Sequence, residues 1–132
     1  MKREIKHFKL SEFNCKCGLP ACPRVKVAAE LVFWLEVVRL IVKSPLIINS
    51  GYRCATHNKN VGGSAPSRHL IGCAADVLLR QSLRRDELLS VFNSLRGVGW
   101  EFIPYENFVH IAVPRESGKH LWDGGSICLS VN

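Results

Sequence analysis

A histidine and an aspartate stand seven positions apart in "SAPSRHLIGCAAD" (residues 64–76), and a second histidine, His110, lies in the apolar run "NFVHIAV" (107–113). A neutral imidazole nitrogen and a carboxylate oxygen are good zinc donors, and two histidines with one carboxylate leave a fourth coordination position open. An open site of that kind lowers the pKa of a water towards neutrality and so yields a nucleophile at ordinary pH. His69, Asp76 and His110 are therefore candidate ligands for Zn2+. Each residue also has a plainer explanation. His110, between Val109 and Ile111, fits a core imidazole with one satisfied hydrogen bond. Asp76, flanked by apolar residues, would then need an arginine or a backbone donor, because a buried unpaired carboxylate is costly.

The elements that must position these groups are readable from pattern. Over Val25 to Lys43 apolar residues fall at Leu31, Trp34, Leu35, Val38, Ile41 and Val42, the spacing of a helix with a wide buried face. Pro45 ends it, and "LIINS" (46–50) predicts a short buried strand. Residues 51–73 are rich in Gly, Ser, Asn and Pro and show no period, so they read as a long loop of the kind that carries function. "AADVLL" (74–79) predicts a strand opened by the region of Asp76. Ser82 is placed to cap a helix running to about Leu95. "VGWEFI" (98–103) and "NFVHIAV" predict two strands joined by the turn "PYE", and "SICLSV" near the end predicts an edge strand. The order defines an α+β domain: a small, mainly antiparallel sheet flanked by helices.

The length of 132 residues fits one domain over 1–132, with an irregular entry segment (1–24) and a C-terminal tail (114–132). The net charge of +7 draws the chain towards polyanions, an anionic cell-wall polymer among them. Its lysines and arginines are dispersed, which argues against nucleic acid as the partner. The apolar stretch 27–42 is interrupted by Glu30, Glu36 and Arg39 and is not a membrane span. "MKREIKHFKLSEF" lacks the apolar run of a signal peptide, so the expectation is a chain cytoplasmic at synthesis. Six cysteines, at 15, 17, 22, 54, 73 and 128, leave three states open. They are free thiols, disulfides, or, for the cluster "CKCGLPAC", three thiolates on zinc without the second half that a zinc finger has.

The string "INSGYRCATHNKNVGGSAPSRHLIGCAAD" resembles the zinc D-alanyl-D-alanine carboxypeptidase family, which includes VanY- and VanX-like peptidases and phage endolysins and shares its zinc fold with the Hedgehog domain. The motif S-x-H-x-x-G-x-A-x-D is met by Ser67, His69, Gly72, Ala74 and Asp76, S-G-Y-R by Ser50 to Arg53, and the last histidine by "FVHIAV". With "FKLSEFNCKCG" the resemblance runs from about Phe8 to Val113. It implies a zinc site of His69, Asp76 and His110. It implies that Arg53 binds the substrate's carboxylate and polarises the scissile carbonyl, and that Ser67 contacts substrate or a ligand. Tyr52 and Asn58 would hold the loop in shape.

Two positions depart from the family pattern. Many relatives read H-x-D-V after the last histidine, where this chain has Ala112, and others carry an acid three positions before it, where this chain has Asn107. Glu106 is the nearest carboxylate and is the expected general base, with His57 as the lesser candidate. The implied activity is a zinc metallopeptidase cutting D-alanine-containing peptidoglycan stem peptides, as a carboxypeptidase or an endolysin-type endopeptidase. It would act at the cell wall after release or from a virion. The alternative is a zinc-binding peptidoglycan-binding or structural module that has lost catalysis.

Overall fold

The computed structural model describes residues 2–80 and 83–128. Its centre is a four-stranded antiparallel sheet in the order β2-β3-β5-β4, formed by β2 (Ile48–Ser50), β3 (Ala74–Leu78), β4 (Glu101–Pro104) and β5 (Phe108–Ala112). A separate pair joins β1 (Lys2–Arg3) to β6 (Ile127–Cys128). The helices are α1 (Ala29–Val42), α2 (Ala55–Asn60) and α3 (Arg85–Leu95). The expected α+β architecture is present. Among the described residues no helix is long and apolar enough to cross a membrane.

The pleat divides the two middle strands into a core face and a site face. Side chains alternate along a strand, so Ala75 and Val77 of β3 and Val109 and Ile111 of β5 share one face. They pack with Leu31, Val32 and Leu35 of α1 and Leu88 and Phe92 of α3. Asp76 and His110 fall on the opposite face and are directly paired across the β3–β5 ladder. A one-residue slip of either strand would send its member of the pair into the core and expose that strand's apolar residues, which fixes the register.

Helix α1 starts without a polar cap at Ala28, but its first donors are not orphaned. The Ala28 and Ala29 N–H groups donate to the carbonyls of Gly72 and His120, at 2.9 and 2.8 Å. It ends with Lys43 in the left-handed region (φ 53°), two residues before Pro45.

Several boundaries differ from expectation. Helix α3 begins at Arg85, with Arg84 at the cap and no side-chain cap bond, and Ser82 lies outside the described residues. Of "SICLSV", only Ile127 and Cys128 are seen as a strand, because the residues from 129 on are also outside the description. The long loop is not wholly irregular. It holds α2 and a 3-10 turn over Arg68–Ile71, both too short to show a period in sequence.

Candidate metal centre

Asp76 sits at the centre of β3, not at its opening, and His110 at the centre of β5, so the sheet holds both from either side. His69 arrives from the 3-10 turn. The Ser67 hydroxyl accepts the His69 backbone N–H at 3.2 Å and caps that turn, while Arg53 N–H donates to the His69 carbonyl at 3.1 Å. The result is convergence on one carboxylate oxygen. Asp76 Oδ1 lies 3.2 Å from His69 Nε2 and 3.1 Å from His110 Nδ1. The three ligating atoms lie within 4.8 Å of one another. A tetrahedron with bonds of about 2.1 Å has edges of roughly 3.4 Å, which these separations approach.

The donor arithmetic leaves a place that a cation would fill. His69 Nδ1 is 2.7 Å from the Gly51 carbonyl, which can only accept, so Nδ1 carries the proton. In a neutral imidazole Nε2 is then a bare acceptor facing a carboxylate oxygen, in a place where His69 is 2% exposed and Asp76 3%. Two buried acceptors in contact need either a proton or a metal ion between them. A backbone carbonyl holding the far nitrogen of a histidine is also the usual way a ligand imidazole is oriented. Burial alone would push the Asp76 carboxyl up. In the metal-free chain, where a proton takes the place of an ion between these groups, hydrogen bonds from His110 and His69 outweigh burial and hold the Asp76 carboxyl at about 2, so Asp76 is an anion throughout the working range.

Gly51 reaches this position through a tight contact. A Cβ there would lie 2.7 Å from the Phe13 Cα, and the adjacent Tyr52 N–H donates to the Phe13 carbonyl at 2.9 Å. The fully buried Phe13 therefore sets the height of the carbonyl that orients His69. Gly72, the motif glycine, has φ 76°, and a Cβ on it would meet the Lys26 carbonyl at 2.4 Å. It lets the turn pass the start of α1.

Arg53 is held over the site by three partners: Ser50 Oγ at 3.2 Å, Asn58 Oδ1 at 3.4 Å and Asp76 Oδ2 at 3.2 Å. Asp76 thus divides its oxygens, one towards the histidines and one towards the guanidinium. Buried Asn58 also donates to the Ser64 carbonyl at 2.9 Å, which closes the loop as expected. Gly63 is required beside it, since a Cβ would fall 2.0 Å from Asn58 Oδ1.

The ligands open onto a cleft of about 510 Å³ that Arg53, Ser67 and Arg68 also line. The carboxylates of its wall are Asp76 and Glu101. Glu106, singled out in sequence, is exposed in the β4–β5 turn and is not part of that wall. Glu101 was missed. Its Oε1 lies 3.3 Å from His110 Nε2 and 3.7 Å from Arg68 Nε. The hairpin pairs Ile103 with His110, so Glu101, two residues earlier, is on the same face. That register, and the lone acid in "GWEFI", was the signal available in sequence.

Fold and site are consistent with a peptidase of the M15 class. Residues 6–112 match the peptidase M15 family model, and the chain belongs to that family. Over 62 residues the chain is 52% identical to the zinc D-Ala-D-Ala carboxypeptidase of Streptomyces albus G. That stretch is 46% of this chain and 24% of that protein, so the match spans about a quarter of the relative's length.

Proposed function

We propose that this chain is a zinc peptidase that cleaves the D-alanine-containing stem peptides of peptidoglycan, with His69, Asp76 and His110 as the metal ligands. The observation that carries the reading is the bare Nε2 of His69 aimed at Asp76 Oδ1, an arrangement made for a cation. When bound, zinc supplies Lewis acidity for activating water and polarising an amide carbonyl. The rest falls to side chains.

Arg53 is tethered to Ser50 and Asn58 at one edge of the cleft, and its planar fork suits a terminal carboxylate or the developing oxyanion. Its bond to Asp76 keeps the guanidinium oriented before substrate arrives. Glu101 takes the proton from water and returns it to the leaving amine, the role first assigned to Glu106. It stands opposite Ala112 across the β4–β5 ladder. Ala112 is where the family pattern carries an aspartate, so the missing acid is supplied from the neighbouring strand. Ser67 serves the site through its cap on the His69 turn, and its place on the cleft wall leaves it able to contact substrate.

The net charge of +7 supports a polymeric anionic wall as the setting, reached after release or from a virion. The test pairs a synthetic stem pentapeptide ending in D-Ala-D-Ala with purified cross-linked wall. Zinc-loaded protein should release D-alanine from the first or open cross-links in the second, and His69→Ala should do neither. A protein that binds zinc at this site yet cleaves neither substrate would instead be a wall-binding or structural module.

A further inference from the structure

We propose that Cys15, Cys17, Cys22 and Cys54 form a second metal site that holds one tetrahedral zinc ion in a structural role. Their four sulfurs all lie within 4.8 Å of one another. A zinc tetrathiolate with bonds of about 2.3 Å has sulfur–sulfur edges of roughly 3.8 Å, so a small contraction closes the set. The spacing C-x-C-x4-C in the entry segment offers three ligands, and the fold brings the fourth from the first turn beyond Arg53.

Four features fit an ion better than disulfides. All four cysteines are free thiols in the structure, and each sulfur has three sulfur neighbours where a disulfide needs one at about 2 Å. Backbone N–H groups are aimed at the sulfurs: Leu19 donates to Cys17, Arg24 to Cys22 and Cys54 to Cys15, each at 3.3 Å. Such donors stabilise thiolates and orient them around a metal. In the first two the donor lies two residues beyond the cysteine; a left-handed residue stands between them in one case (Gly18, φ 71°) and is the donor itself in the other (Arg24, φ 76°).

The fourth feature is what the segment lacks. Residues 14–24 contain no helix or strand, and most of their side chains are exposed. Their backbone ties include Cys15 N–H to Arg24 O at 2.6 Å and Cys22 N–H to Leu19 O at 3.2 Å. A loop with so little buried apolar surface needs another staple to keep one shape, and a metal ion supplies it. On binding, the thiols that are still protonated release their protons to solvent, and four thiolates with one divalent cation carry a net charge of −2.

Four protein ligands fill the tetrahedron, leaving no position for water, so this ion takes no part in hydrolysis. The inference is independent of the peptidase reading. The experiment is cobalt substitution of the full-length, reduced protein, with metal and thiol counts on the same sample. Thiolate-to-cobalt charge-transfer absorption in the near ultraviolet is expected, and a site of two histidines and an aspartate cannot produce it. His69→Ala should retain that absorption and lose one metal per chain, whereas Cys17→Ser with Cys22→Ser should lose it. Two zinc ions per wild-type chain are expected, with four of the six thiols shielded from a thiol reagent until a strong chelator is added. The wild-type spectrum decides the matter even if the cysteine variant fails to fold. Folded, reduced protein with no thiolate charge transfer, or two disulfides among these four residues in protein prepared with zinc and reductant, would overturn the assignment.

Discussion

The two ligand clusters meet at one dipeptide, Arg53–Cys54, and are built in opposite ways. The His69–Asp76–His110 centre draws two of its three groups from adjacent strands of the sheet, whose pairing sets their separation. The cysteine cluster draws three of its four from a coil with almost no regular hydrogen bonding. Where the scaffold is rigid, the ligand set is incomplete and faces a cleft. Where the scaffold is loose, the ligand set is complete and closed. An open metal position is affordable only on a frame that holds its shape without the ion.

The sharpest break between the two is expected under mild chelation. The three-ligand centre should give up its metal first, abolishing hydrolysis to background while the circular dichroism stays native. The closed cluster should release its ion only under stronger chelation, with loss of structure in the entry segment. If activity and fold are lost together, the contrast is wrong.

Next in size is Glu101→Gln. The amide oxygen still accepts from His110 Nε2–H, so metal content should hold while kcat falls by about 10²–10⁴-fold, the usual range for loss of a general base. Glu106→Gln should change kcat by less than about twofold. Near-normal turnover in the Glu101 variant would reduce that residue to a group that orients His110.

Arg53→Lys keeps the charge but loses the fork and at least one of its three bonds. A decrease in kcat/KM of about 10–100-fold is expected, read by steady-state kinetics on the stem peptide. Zinc content should not change, since Arg53 supports Asp76 through the oxygen that the histidines do not use.

The smallest effect concerns acid. In the metal-free chain the Asp76 carboxyl lies below its ordinary value of 3.8, at about 2, so it favours the folded state. That contribution is complete above pH ~4 and is lost as pH falls through about 2; by linkage it amounts to roughly 2 kcal/mol. Denaturant midpoints of the apo protein and its Asp76→Asn variant should therefore differ at neutral pH and converge in strong acid.

What the sequence showed followed from where each signal is stored. The convergence of His69, Asp76 and His110 was legible because a motif and two strand patterns carry them, and the period-2 alternation already put Asp76 and His110 on one face. The place of Glu101 beside His110 was not, because it depends on hairpin register: the turn length decides that Ile103, not Glu101, stands opposite His110. Cys54 escaped for a related reason. It lies far along the chain from "CKCGLPAC", and only the passage of the entry segment beside Gly51 and Tyr52 brings it to the other three. The two short helical turns in residues 51–73 complete fewer than two turns each, too few for periodicity to register.

Phe13 has a consequence for anyone wishing to transplant this centre. Its backbone presses on Gly51 and receives Tyr52, and the Gly51 carbonyl in turn fixes the proton on His69. A graft of residues 50–112 into another scaffold would carry every proposed ligand and still lack the wedge that selects the imidazole tautomer. The smallest portable unit therefore begins upstream of Phe13, and a redesign that repacks this aromatic alters a proposed metal ligand it never touches.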